Sequence, residues 1–182
     1  MDYAWQGRGA AYAFKVTDQA WELFAERLVE AEKALTKAWE LNPRDERIAR
    51  QMISVELGQG KGRPRMERWF ERAADLNPNY YEAFHAKLYY LEPKWHGSPE
   101  EMLQFGQQCV NSKRWGGRVP LILLDAHDSL AKYLPKDEQA AYWKQPEVWR
   151  DIKEALEKFL TLNPEETRWR RNYALYAYRA EQ

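Results

Sequence analysis

Leu41-Asn42-Pro43, Leu76-Asn77-Pro78 and Leu162-Asn163-Pro164 are three copies of one tripeptide in a chain of 182 residues. Each follows a segment whose apolar residues recur at helical spacing, and each precedes another. Asn tolerates the left-handed conformation that closes many helices, and Pro cannot continue the old helix but can open the next. Each triplet therefore reads as a joint between two helices. The first two prolines stand 35 residues apart, which is a helix-pair period.

The segments between the joints support this. Thr17 or Asp18 caps a helix that runs to Leu41, with Trp21, Phe24, Leu28, Ala31, Leu35 and Ala38 on one stripe at steps of three and four. That stripe is expected to be buried, with Glu22, Glu26, Glu30, Lys33 and Lys37 in water. A third helix carries Ile48, Met52 and Val55 and stops at Gly58. A fourth buries Met66, Trp69, Phe70 and Ala73, and a fifth presents Tyr81, Phe84, Leu88 and Leu91. Ser98 caps a sixth, with Pro99, Glu100 and Glu101 in its first turn and Met102, Phe105 and Cys109 inside.

Residues 111–119 read as a loop. The helix over residues 120–133 is apolar on most sides, which predicts a central position. A short turn is expected over residues 138–143. Pro146 opens a helix with Val148, Ile152, Ala155, Phe159 and Leu162 on its stripe, and the last helix carries Trp169, Tyr173, Tyr176 and Ala180. Residues 3–15 are poorly defined because Gly7 and Gly9 weaken any helix there. No stretch alternates apolar and polar residues long enough to demand a strand. The expectation is one all-α domain over residues 1–182 with eight or nine helices.

The period and the small–large–small pattern ahead of each joint resemble the tetratricopeptide-repeat (TPR) superfamily, whose repeat is about 34 residues. Ala31, Leu35 and Ala38 match before Pro43. Phe70 and Ala73 match before Pro78, with Met66 in place of a small residue, and Ser54 occupies a small position of the first helix. Leu156 and Phe159 fill those slots before Pro164, with Ala155 out of phase. The resemblance implies a degenerate TPR-like array of antiparallel helix hairpins, an α-solenoid, in which Ala38 and Ala73 are buried contact points. Leu91-Glu92-Pro93-Lys94-Trp95-His96-Gly97-Ser98, Trp5-Gln6-Gly7-Arg8-Gly9 and Gly58-Gln59-Gly60 also resemble an uncharacterised bacterial group of TPR-like proteins. That group implies no residue roles.

Composition narrows the function classes. Basic and acidic side chains balance at 28 each, so no global field favours nucleic acid or an anionic membrane. One cysteine, Cys109, excludes an internal disulfide and suits a reducing compartment. The residues Met1-Asp2-Tyr3-Ala4-Trp5 lack the basic and apolar regions of a signal peptide, and the longest apolar run, near Leu121, is too short for a bilayer. A cytoplasmic protein is expected. Aromatic residues make up 14% of the chain, with nine tryptophans. Most are expected to fill gaps between helices, and a few to line a binding groove.

Reactive constellations are sparse. Gly58, Gly60, Lys61 and Gly62 lack the spacing and preceding strand of a phosphate-binding loop, and no HExxH or CxxC pairing is present. No cofactor or metal is expected. Lys61, Arg63, Arg65 and Arg68 near Trp69, and Arg168, Arg170 and Arg171 around Trp169, are interleaved with glutamates, so nucleic acid is not an expected partner. Asp125, His127 and Asp128 form the alternative centre, for a small-molecule-binding protein or weak hydrolase. The leading expectation is a non-catalytic module that binds a partner protein or peptide, such as an immunity protein that neutralises a toxin or a secretion-type chaperone. Trp95, His96, Arg114 and Trp115 are the candidate contacts, because each pair lies on a connection bounded by Pro93 or by Gly116-Gly117.

Overall fold

A computed structural model describes residues 2–9 and 13–181 of the chain. The described residues are helical, with no strand among them. Among the described residues ten α-helices run α1 (Asp2–Arg8), α2 (Asp18–Leu41), α3 (Glu46–Gln59), α4 (Arg63–Leu76), α5 (Tyr81–Tyr90), α6 (Pro99–Asn111), α7 (Ile122–Tyr133), α8 (Lys136–Trp143), α9 (Pro146–Leu162) and α10 (Thr167–Glu181). Two 3-10 turns add Ala13–Lys15 and Val119–Leu121. Among the described residues no helix is long and apolar enough to cross a membrane.

The count exceeds the expected eight or nine for two reasons. Residues 2–8 hold a helix despite Gly7, because Ala4 is buried against Phe24 and Leu28 of α2; of the segment 3–15, residues 10–12 lie outside the described residues. Where a short turn was expected, α8 forms a full helix with Asp137 and Glu138 in its first turn, where they favour the positive end of the helix dipole.

All three Leu-Asn-Pro joints take one backbone form. Asn42, Asn77 and Asn163 have φ of −144°, −143° and −135° with ψ of 81°, 94° and 68°. Each donates its N–H to the carbonyl four residues back, on Ala38, Ala73 and Phe159. The left-handed cap anticipated for Asn is absent, since no described non-glycine residue has positive φ. The proline explains this, for its ring pushes the preceding residue out of the helical region into extended backbone. Nor does Pro open the next helix. It starts a two-residue turn, and the new helix begins three residues after Pro43, Pro78 and Pro164 alike.

The chain divides into two compact units, Met1–Asn77 and Pro78–Gln182. In the first, α1, α2, α3 and α4 pack in succession. Phe24, Leu28, Met52, Ile53, Val55, Met66, Phe70 and Ala73 are buried. Of the α2 stripe only Phe24 and Leu28 are buried; Trp21, Ala31, Leu35 and Ala38 are half-buried. Of the two alanines read as contact points, Ala73 is fully buried and Ala38 is not. The helix has 24 residues and α3 only 14, so a stripe that long outruns the neighbour it packs on.

The second unit is organised around α7, which packs on α5, α6, α8 and α9, while α10 covers α9. Its all-round apolar character therefore does predict its central place. Leu121, Leu124, Val148, Ile152, Leu156, Phe159 and Tyr176 form one core cluster of this unit. Leu162, read as part of the α9 stripe, is 45% exposed, at the last residue of α9 before the joint.

Candidate functional site

The turn between α5 and α6 is built from its backbone inward. After Tyr90 the chain folds back so that Trp95 donates its N–H to the Glu92 carbonyl at 2.8 Å and His96 donates to the Tyr90 carbonyl at 3.2 Å. Glu92 is 7% exposed, and its carboxylate accepts from the Tyr133 hydroxyl at 2.9 Å and from Lys94 at 2.6 Å. Burial and that carboxylate hold the Tyr133 phenol up at about 12. Ser98 ends the turn by accepting from the Glu101 N–H, the capping role its position predicts.

Gly97 is required here for closeness rather than for an unusual φ. A Cβ on it would lie 2.3 Å from the Leu91 carbonyl oxygen and 2.7 Å from the Leu91 carbonyl carbon. Both are backbone atoms and cannot rotate aside. Gly97→Ala is expected to destabilise the protein by about 1–3 kcal/mol and to displace residues 93–98, visible as loss of amide-exchange protection at His96. Protection equal to wild type would show that the turn tolerates the methyl group.

Trp95 is half-buried with its ring 5.8 Å from Tyr89, and His96 is exposed with its ring 4.5 Å from Tyr90. Arg114 and Trp115 both donate backbone N–H groups to the Ser112 hydroxyl, at 3.1 and 3.2 Å. Arg114 is exposed, but Trp115 is half-buried and meets the buried Phe84 edge-on at 4.9 Å. The two pairs thus rest on opposite ends of α5, about 8 Å apart along its axis. They do not form one cluster. Trp115 has a packing role that its place on a connection did not predict.

An apolar groove of about 590 Å³ opens beside the first pair. Pro93 and Pro99, which bracket the Trp95 turn, line it together with Leu103, Leu130, Tyr133 and Leu134. No local motif marks the groove, because its walls come from α6, α7 and α8.

Asp125, His127 and Asp128 share α7 and diverge from it. The Asp125 carboxylate accepts from the Tyr81 hydroxyl on α5. His127 Nδ1 lies 2.7 Å from the Tyr142 hydroxyl on α8, and its Nε2 lies 3.4 Å from Asp151 on α9. Asp128 accepts from the Tyr176 hydroxyl on α10 at 2.9 and 3.0 Å. Three side chains of one helix therefore bond to four different helices. Burial raises both aspartic acids, and burial lowers His127 against the pull of Asp151. In the tautomer that suits both contacts, Nδ1 of His127 accepts from the Tyr142 hydroxyl and its Nε2–H donates to Asp151. Sequence spacing does not single out Tyr142 or Asp151, which lie 15 and 24 residues from His127. Burial and nearby aspartates hold the Tyr142 phenol up at about 12, which keeps it protonated near neutrality. The group acts as a set of polar pins between helices.

Cys109 is fully buried, and burial pushes its thiol far above the ordinary range. Among the described residues no three His, Cys, Asp or Glu side chains are placed to hold a metal ion. Of the first basic cluster, Lys61 and Arg65 bond to Glu32 at 2.8 and 2.5 Å. Arg170 of the second reaches the Pro164 carbonyl.

No protein-family model, no curated protein and no solved structure matches this chain.

Proposed function

We propose that the chain is a degenerate TPR-like array that binds a partner protein without catalysing a reaction on it. The repeat reading is supported by the three joints, which share dihedrals, cap bond and turn length, and by the 35-residue spacing of the first two. The binding reading rests on one observation above all: the turn carrying Trp95 and His96 borders an apolar groove framed by its own two prolines. An apolar groove with an aromatic and a polar side chain at its edge suits a hydrophobic segment of a partner, with the ring as anchor. An immunity role toward a toxin and a chaperone role toward a secreted protein both use such a surface. The divergence of Asp125, His127 and Asp128 leaves no point where one substrate atom meets all three, which favours binding over the hydrolase alternative.

Affinity purification of the tagged chain from its native cell, followed by mass spectrometry, supplies the partner for the test. Trp95→Ala and Leu134→Gln are each expected to weaken its binding by roughly 30-fold, about 2 kcal/mol. His96→Ala and Arg114→Ala replace exposed side chains and are expected to leave the melting temperature unchanged while weakening binding less. A partner that binds Trp95→Ala and Leu134→Gln with wild-type affinity would remove the turn and groove as the site.

A further inference from the structure

On the other side of α8 lies a second cleft, of about 580 Å³, walled by α7, α8 and α10. Lys132, Lys144 and Arg179 reach it from these elements, together with the rings of Trp143 and Tyr178 and the carboxyl of Asp128. All three cations are exposed, and none of them makes an ion pair among the described residues. Lys61 and Arg65, by contrast, both bond to the Glu32 carboxylate. Three unpaired cations around one concavity are a source of positive potential that a low-dielectric wall concentrates.

The other groups in the cleft set what it can take. Arg179 stands 5.2 Å from the Tyr176 ring and 5.8 Å from the Trp143 ring. A guanidinium that close to aromatic rings gains from their faces while its N–H groups can still donate two parallel bonds to an oxyanion. Asp128 is already engaged, because the Tyr176 hydroxyl bonds to both of its oxygens. Three cations against that one carboxylate leave a surplus close to the charge of a phosphomonoester, about −1.5 to −2 near neutral pH. A single carboxylate would match half of it. Tyr178 is 60% exposed and offers a free ring face, which suits a planar aromatic group stacked beside the anion. The volume is in the range of small-ligand sites, about 300–1,000 Å³.

We propose that this cleft binds a small phosphomonoester carried on an aromatic ring system, of the nucleoside monophosphate class. Arg179, Lys132 and Lys144 hold the phosphate, and Tyr178 with the rim of Trp143 receives the ring. Neither the Leu-Asn-Pro joints nor the Trp95 turn takes part, so this site and the partner-binding surface stand or fall separately.

Isothermal titration of the full chain with AMP at low ionic strength tests it. Saturable binding is expected, with adenosine and inorganic phosphate each at least about tenfold weaker than AMP. Arg179→Gln and Lys144→Gln are each expected to weaken AMP by about tenfold or more, and Tyr178→Ala by several-fold, all with unchanged far-ultraviolet circular dichroism because these side chains are exposed. Lys153→Gln, which removes an exposed cation of α9, is expected to change nothing. AMP binding no tighter than phosphate, or AMP affinity unaltered by Arg179→Gln, overturns the assignment. Tighter binding of an adenylate hexanucleotide than of AMP also overturns it, since the ligand would then be a single strand.

Discussion

Arg65→Met is expected to destabilise the protein by about 3 kcal/mol, the low end for removing one partner from a buried ion pair, because Arg65 keeps 32% of its side chain exposed. Glu56 has no exposed surface, and Arg65 supplies its nearest positive charge, with Nη2 2.9 Å and Nε 3.0 Å from Oε1. The second oxygen of Glu56 is buried with no hydrogen-bond partner among the described residues. Arg65 also bridges to Glu32, which accepts from Lys61 and Gln59 as well. Without the guanidinium, Glu56 must ionise with no partner or take up a proton. Urea denaturation measures the loss. Adding Glu56→Leu to Arg65→Met is expected to recover most of it, since an apolar pair of similar volume removes the stranded charge. A single substitution within about 0.5 kcal/mol of wild type would show that the pair is not buried in solution.

The same network sets a pH dependence whose sign follows from the two carboxyl groups. Burial alone would raise Glu32, but bonds from Lys61, Gln59 and Arg65 outweigh it and bring the group down to about 2 from an ordinary 4.5. Its contribution is complete above about 4.5 and is lost as pH falls toward 2. Burial raises Glu56 in spite of Arg65. The folded state then holds its proton at pH values where the unfolded chain has released it, and stability falls as pH rises through that interval. In Arg65→Met the Glu56 effect gains at the expense of the Glu32 effect. The variant's deficit is therefore expected to shrink on acidification from neutrality to about pH 5.

Gly106→Val is the second change with a large expected effect, about 3 kcal/mol or more. Gly106 sits in α6 where that helix crosses α7. Any Cβ placed there would lie 2.7 Å from the Leu123 Cα and 2.9 Å from its Cδ1. The first of these is backbone, so the two helices must separate. A helix interior would ordinarily gain by replacing Gly, and Gly106→Ala isolates that gain from the crowding. Ala is expected to destabilise as well, though less than Val. A Gly106→Ala protein more stable than wild type in urea would mean that α6 and α7 cross less closely.

Local chain chemistry was legible without tertiary structure. Ser98 as a cap, Pro99 in the first turn, the joints at residues 42, 77 and 163, and the central α7 follow from backbone constraints and apolar spacing within a few residues. Even so, Asn misled as to conformation, because the proline after it restricts φ and ψ more than the asparagine side chain does. The α8 helix escaped notice because none of its residues is buried, so it carries no apolar stripe to read.

The candidate sites divide along the same line. Trp95, His96, Arg114 and Trp115 are recognisable as loop residues from their prolines and glycines. Only the folded chain shows that Trp115 packs on Phe84, and that Asp125, His127 and Asp128 turn to different helices. The Glu32–Arg65 bond spans 33 residues, and the cleft of Lys132, Lys144 and Arg179 draws on three helices. Such pairings depend on which faces meet and at what rotation, a matter of packing summed over each unit. The sequence by itself determined where helices begin, end and turn, because those are short-range steric and hydrogen-bonding events. Tertiary structure alone decided which charges found partners and which were left facing a cleft, because an ion pair depends on a few ångströms of distance that no spacing along the chain encodes.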